Sequence, residues 1–162
     1  ALADTQVFGR RAGISAAENA LKSDLRLNRG YVEAEEYRIK NKVREGDLRP
    51  AEIKRRLHDT MWENVAIIRD EKSLKSALST IRSLQGELDR LDAPEGGRFN
   101  KYLQEALEVE NMLKTAALVT KSAIIRKESR GSHFRKDHPE TREEWKKSIV
   151  LTKNRKPYFI KR

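Results

Sequence analysis

No cysteine occurs anywhere in the chain, so no disulfide, thiolate nucleophile or cysteine metal site can form. No apolar run approaches the ~20 residues that span a bilayer, and no signal-peptide pattern opens the sequence. These two absences leave a cytoplasmic chain as the default reading. Internal repeats and low-complexity segments are missing too. Aromatic residues are sparse where basic residues gather: Phe134, Trp145, Tyr158 and Phe159 are thinly spread, with no helix-turn-helix, zinc-finger or single-strand-binding pattern around them. That speaks against specific nucleic-acid binding.

What is present is charge, and its placement is uneven. The net charge is +10, but residues 1–125 hold 22 Lys and Arg against 20 Asp and Glu, whereas residues 126–162 hold 13 against 5. The first part is a balanced, solvated surface. The tail carries the excess, which can grip phosphates or dock on an acidic face of another domain or subunit. A chain of 162 residues can build one domain with a modest core, or one domain plus an extended arm.

Hydrophobic periodicity predicts a mainly α fold: an antiparallel three-helix bundle, preceded by an N-terminal helix and followed by an extended arm or small hairpin. The opening helix has Leu2, Val7 and Phe8 apolar, with Gly9, Gly13 and Ala17 four apart on one face, a spacing that lets another backbone approach closely. The first bundle helix starts near Pro50 and repeats through Ile53, Leu57, Met61, Val65 and Ile68. Ser73 is the expected N-cap of the second, whose stripe is Leu74, Ala77, Leu78, Ile81, Leu84, Leu88 and Leu91. After the break at residues 92–97 the third runs from about Phe99 to Ser129 through Leu103, Leu107, Leu113, Ala117, Thr120 and Ile124.

The second half of that third helix is apolar nearly all round, with Met112, Leu113, Ala116, Ala117, Leu118, Val119, Ala123, Ile124 and Ile125. Such a helix is expected to be buried on every side. Two companions cannot cover it, so another domain, another subunit or the folded-back tail is required. Between Ser23 and Gly46 a polar segment with scattered apolar residues (Leu25, Leu27, Tyr31, Val32, Tyr37, Ile39, Val43) reads as a charged helix or an irregular connector. Beyond Pro139, Ser148–Thr152 and Tyr158–Ile160 are strand candidates joined by the turn residues 153–157, a hairpin that needs something to pack on. The boundaries expected from these patterns are 1–22, 23–49, 50–130 and 131–162.

Residues with chemistry in them are few. His58 beside Asp59 suits a surface or half-buried helix position. His133 and His138 with Asp137 between them suggest two metal ligands, but a third at useful spacing is missing, so no metal site is expected. Glu143-Glu144 read as a solvated turn. No catalytic site is complete within the chain.

The run Arg126-Lys127-Glu128-Ser129-Arg130-Gly131-Ser132-His133-Phe134-Arg135-Lys136-Asp137-His138-Pro139-Glu140 resembles an element near the end of the flavoprotein subunits of succinate dehydrogenases and fumarate reductases. Three other stretches are similar to the same family, in order and approximate spacing: Ala1–Gly13, Met61–Asp70 and the Glu110-Asn111-Met112-Leu113 step, with Trp145 closing the series. The chain opens on Ala1 with its helix pattern already under way, so the expectation is a C-terminal portion of such a flavoprotein. Residues 1–22 would then be the last helix of an FAD-binding domain, and 50–130 the helical domain.

The resemblance implies an FAD-binding α/β domain, a capping domain that closes over a dicarboxylate, and hydride transfer between flavin N5 and the succinate–fumarate pair. It places Ala1 and Leu2 where the family has a Ser-Leu pair beside the flavin ring, at a helix N-terminus whose dipole favours anionic reduced flavin. The nucleotide-binding glycine loop, the substrate arginine and the proton-donating arginine of the family are not in this sequence, so the chain alone is expected to be inactive and without FAD. An iron–sulfur subunit is the implied electron partner, with a position peripheral to a membrane through partner subunits. The chain alone is expected to form a homodimer. Arg130, His133 and Arg135 are read as fastening the helical domain to the flavin domain, against the plainer reading that Gly131 ends the long helix and the charges are solvated. L-aspartate oxidase, which shares this C-terminal design, and a non-enzymatic helical interaction module with a basic arm are the alternatives.

Overall fold

The computed structural model describes residues 2–24 and 27–161, and it divides after Arg38 into two compact units. The first unit consists of α1 (Leu2–Lys22) and most of α2 (Arg29–Lys40). Asn28 starts α2 through its side-chain oxygen, which accepts from the Tyr31 N–H. No residue of either helix is buried, and the positions a Cβ would take at Gly9 and Gly13 are open. The polar segment is thus a charged helix followed by an irregular stretch; Leu25 lies outside the described residues.

The second unit holds α3 (Pro50–Asn64), α4 (Glu71–Gly86) and α5 (Lys101–Ile125), each packed on the other two. Two buried clusters give their directions. Ile53 and Leu57 from the start of α3 meet Ile81 and Leu84 from the end of α4 and Ala106, Val109 and Leu113 from the first half of α5. Val65, just past α3, meets Leu74 and Ala77 at the start of α4 and Ala123 near the end of α5. α4 therefore runs against both neighbours, as the periodicity predicts. Thr120 on α5 is fully buried, with its hydroxyl towards the Met61 sulfur.

Helix ends depart from expectation in three places. α4 is capped by Asp70 rather than Ser73: the Asp70 carboxylate accepts from the Ser73 N–H at 2.8 Å and from its hydroxyl at 3.0 Å. An ionised acceptor three residues upstream outcompetes a hydroxyl for that role. α3 stops at Asn64, and Ile68 joins β1 (Ile68–Arg69), which pairs in parallel with β2 (Phe134–Arg135). α5 begins after Asn100, whose side chain accepts from the Leu103 N–H, and ends at Ile125 instead of Ser129.

A loop closes the base of the bundle. Arg44 and Ala93 exchange backbone hydrogen bonds of 2.8 and 2.9 Å, and the Asp92 N–H donates to the Leu48 carbonyl. Gly46 is required here, since a Cβ would overlap the Arg90 carbonyl and lie 2.6 Å from the backbone of Leu91. The arm is a hairpin of β3 (Lys147–Val150) and β4 (Tyr158–Lys161), antiparallel as expected, with Asn154 in its loop at φ 62°. Among the described residues no helix is long and apolar enough to cross a membrane.

Candidate functional site

The element from Arg126 to Asp137 is a knot of charged side chains built on the end of α5. A helix end leaves carbonyls without donors and carries partial negative charge. Arg135, fully buried, supplies both remedies: its Nη1 donates to the carbonyls of Ala123 (2.8 Å), Ile124 and Arg126 (both 3.4 Å). The other edge of the guanidinium makes a bidentate pair with Asp137 at 2.7 and 2.6 Å. Asp137 in turn accepts the backbone N–H of Glu71 at the opening of α4, where negative charge is favoured. One ion pair thus matches the negative end of α5 to the positive end of α4. Arg135 is held well below the surface by its own chain, where its guanidinium satisfies helix-end carbonyls and Asp137.

Glu128 is the second buried charge, with 0% exposure. Its carboxylate accepts four hydrogen bonds: from Arg126 Nη1 (2.6 Å), Arg130 Nε (2.9 Å) and Nη2 (3.1 Å), and the Arg142 N–H (2.9 Å). Burial pushes its pKa up, but Arg130, the Arg142 amide and Arg126 outweigh it and hold the group at about 2. Arg126 also donates to the carbonyls of Trp145 (3.0 Å) and Lys147 (2.8 Å) and lies over the Trp145 ring, tying the hairpin to the helix end. Ser129 completes the knot, its hydroxyl accepting the Arg135 N–H at 2.9 Å and donating to the His138 carbonyl at 2.8 Å.

Gly131 does not terminate α5, which ends six residues earlier. It occupies a tight turn in which Arg130 and His133 exchange backbone hydrogen bonds of 2.8 and 3.0 Å. Its φ of +58° is paired with an ordinary φ at Ser132, the pattern of a type II′ hairpin turn with glycine first. The turn delivers His133 to Arg69, whose Nη1 lies 2.8 Å from His133 Nδ1. A guanidinium only donates, so Nδ1 accepts and the ring proton sits on Nε2, facing the Arg126 carbonyl at 3.4 Å. Burial holds the His133 pKa below the ordinary imidazole value; the bond to Arg126 opposes this, and the charges of Arg69, Arg126 and Arg135 add to it.

Arg69, Arg126 and His133 line a cleft of about 550 Å³ with Leu118, Val119, Ile149 and Leu151 around them. Leu118 and Val119 are 48% and 44% exposed, so the apolar ring of α5 is not fully buried. On one flank the tail residues Leu151 and Pro157 line a groove together with Leu118, Ile124 and Ile125. Arg69 is the site residue that sequence reasoning missed, because Ile68 read as the last turn of a helix. Its signal was the Asp70 that follows, a better cap than Ser73 and hence a sign that the helix had already stopped.

The other candidates fall elsewhere. Leu2 is 79% exposed in the first turn of α1, and Ala1 lies outside the described residues. Glu71, Asp137 and His138 bring ligand-type atoms within 4.8 Å of one another, but Asp137 is committed to Arg135 and Glu71 pairs with Lys75 at 2.6 Å. Charge satisfied by arginine and lysine has little left for a metal ion.

Comparison with known proteins gives this geometry a family. The family described as fumarate reductase flavoprotein C-term matches residues 54–160. A fumarate reductase (CoM/CoB) polypeptide of Methanothermobacter marburgensis is 61% identical over all 162 residues, which correspond to 30% of its length. The succinate dehydrogenase flavoprotein subunit of Coxiella burnetii is 32% identical over 144 residues, 86% of this chain and 24% of that protein. Among solved structures, the Mycobacterium smegmatis Sdh1 complex in the apo form superposes with a TM-score of 0.82 at 27% identity, over 95% of this chain and 28% of that one. The chain therefore spans less than a third of the relatives it matches, and it belongs to the fumarate reductase and succinate dehydrogenase flavoprotein family, as its C-terminal helical domain.

Proposed function

We propose that this chain is the C-terminal helical part of an FAD-dependent flavoprotein that transfers hydride between flavin and the succinate–fumarate pair, working as a fumarate reductase. The observation that carries the reading is the 61% identity to a fumarate reductase polypeptide over every residue of the chain. The residues present do not fit the flavin nucleotide: the glycines at 9, 13, 30, 46, 86, 96, 97 and 131 never fall in a G-x-G-x-x-G spacing, and no strand among the described residues leads into a helix through such a loop. No step of the redox chemistry is therefore assigned to them. Their part is to brace. Leu2 in the N-terminal turn of α1, with Ala1 before it in the sequence, would sit at the flavin, and the half-buried Arg130 and His133 would meet the flavin-binding part while Arg135 holds the knot rigid behind them. An iron–sulfur subunit would supply electrons, and the protein would be cytoplasmic, peripheral to a membrane only through partner subunits. On its own the chain would pair with a second copy.

The intact flavoprotein should show flavin absorbance and oxidise a reduced dye with fumarate, whereas the 162-residue chain should be colourless and inactive. Stoichiometric FAD copurifying with the 162-residue chain would overturn this division of labour.

A further inference from the structure

Arg69 differs from every arginine of the knot beside it. Arg126 and Arg130 share Glu128, and Arg135 pairs with Asp137, but the guanidinium of Arg69 donates only to the Val65 carbonyl (2.6 Å) and to His133 Nδ1. Among the described residues no carboxylate meets it. It is nonetheless half-buried, a costly place for a charge without a counter-ion. Guanidinium has five N–H donors, so it has capacity left after two bonds. The cleft it lines contains Arg126 and His133 but no acidic side chain, and Glu128 is already shared between two arginines. The electrostatic deficit is one carboxylate.

The walls say what carries it. Leu118, Val119, Ile149 and Leu151 surround the charged floor, and Val119 also borders the neighbouring groove of Leu57, Met61, Met112 and Ala116 between α3 and α5. A free small anion would pair with the guanidinium and leave these apolar groups in water. An acidic side chain set in an apolar stretch of protein covers both at once.

We propose that the cleft over Arg69 and His133 is a docking site for an aspartate or glutamate borne on an apolar segment of a protein partner, namely the flavin-binding remainder of the flavoprotein. This rests on the reading that the chain is one part of that larger protein. Arg69 forms the bidentate pair, and His133, kept neutral by its bond from Arg69, orients the guanidinium without competing for the carboxylate.

The test uses the intact flavoprotein with a benzoylphenylalanine photocrosslinker in place of Val119. The expected product is a crosslink to a peptide outside these 162 residues that contains Asp or Glu beside apolar residues. R69E should lower its yield about tenfold or more, as loss of a desolvated charge pair does, and replacing the identified acid by Arg in the R69E protein should restore it. Restoration by exchange separates pairing from a merely structural role of Arg69. A crosslink to a second copy of this chain, to a lipid or nucleic acid, or to a peptide without an acid overturns the proposal. So does no crosslink at all, or sodium acetate displacing the crosslink with no acid at the contact. If docking fails while the intact protein still binds FAD and reduces fumarate, the functional reading stands alone; if FAD binding and fumarate reduction are themselves absent, that reading has failed whatever the crosslink shows.

Discussion

Glu128 is the side chain on which the knot depends, because four donors converge on a carboxylate with no access to water. Its folded pKa of about 2 lies below the ordinary 4.5, so the folded protein binds this proton less readily than the unfolded chain. The stability it contributes is complete above pH 4.5 and is lost as pH falls from there towards 2. In E128Q that acid limb should flatten, and the variant should be less stable than the parent at pH 7, because an amide turns two donors towards arginines that need acceptors. Thermal melts at intervals from pH 3 to 7 check both. His133 acts in the same direction at milder pH. Its folded pKa is lowered from 6.5, so its share of stability is present above 6.5 and falls away as pH drops towards the folded value. H133Q, which keeps an acceptor for Arg69, should remove that part of the pH dependence and leave the alkaline plateau nearly unchanged. The sequence displayed these residues but not their directions. Arg130, His133 and Arg135 stand in a segment with no helical or strand period, and without a period nothing in the order of residues says which side chain turns inward. Arg135 turned in because α5 ended early, and its carbonyls and Asp137 made burial of a guanidinium tolerable.

At the level of elements, periodicity made the three bundle helices and the hairpin legible, and electrostatics set the ends that periodicity could not. The stripe from Leu74 to Leu84 marked the body of α4, yet its start was fixed by Asp70 and by the distant Asp137, 66 residues from the Glu71 amide it binds. The parallel contact of β1 with β2 was invisible for the same reason: two residues in each strand are too short to alternate, and the partners are far apart in the chain. The Arg135–Asp137 pair joins the ends of two helices, so its removal should be felt by both. R135M leaves Asp137 without its counter-ion and the Ala123 and Ile124 carbonyls at the end of α5 without their side-chain donor, and should cost about 3 kcal/mol or more. Hydrogen exchange should show the first turn of α4 and the last turn of α5 opening together; loss confined to α5 would mean that the pair does not couple them. Gly131 offers a gentler probe. G131A forces a Cβ into the left-handed region at φ +58°, a strain of about 1–2 kcal/mol, and its melting temperature should fall although open space surrounds the site. If Gly131 merely followed the helix, alanine there would be neutral.

For the whole molecule, the residue pattern pointed to apolar surface in need of cover on the second half of the long helix, with Leu118, Val119, Ile124 and Ile125 in it. The all-round apolar half of α5 demanded more cover than two helices provide: Ile124 and Ile125 are half-buried and share a groove with the tail residues Leu151 and Pro157, while Leu118 and Val119 stay 48% and 44% exposed. Those two residues border three clefts between them, so the uncovered surface is continuous rather than scattered. Continuous apolar surface of several hundred square ångströms drives association in water, roughly the extent at which a monomer becomes unusual. In the proposed flavoprotein the flavin-binding part covers it. In the 162-residue chain on its own, a two-fold pairing is the simplest cover, since one contact buries the same face twice. Sedimentation velocity over a dilution series should therefore show a monomer–dimer equilibrium, and L118K with V119K should shift it to monomer without lowering the melting temperature, because neither side chain is in the buried core. Moderate salt should strengthen the pairing of the unsubstituted chain by screening its net charge of +10. A strict monomer at tens of micromolar that binds no apolar dye would mean that this face is covered from within the chain, and the docking cleft over Arg69 would then be closed to any partner.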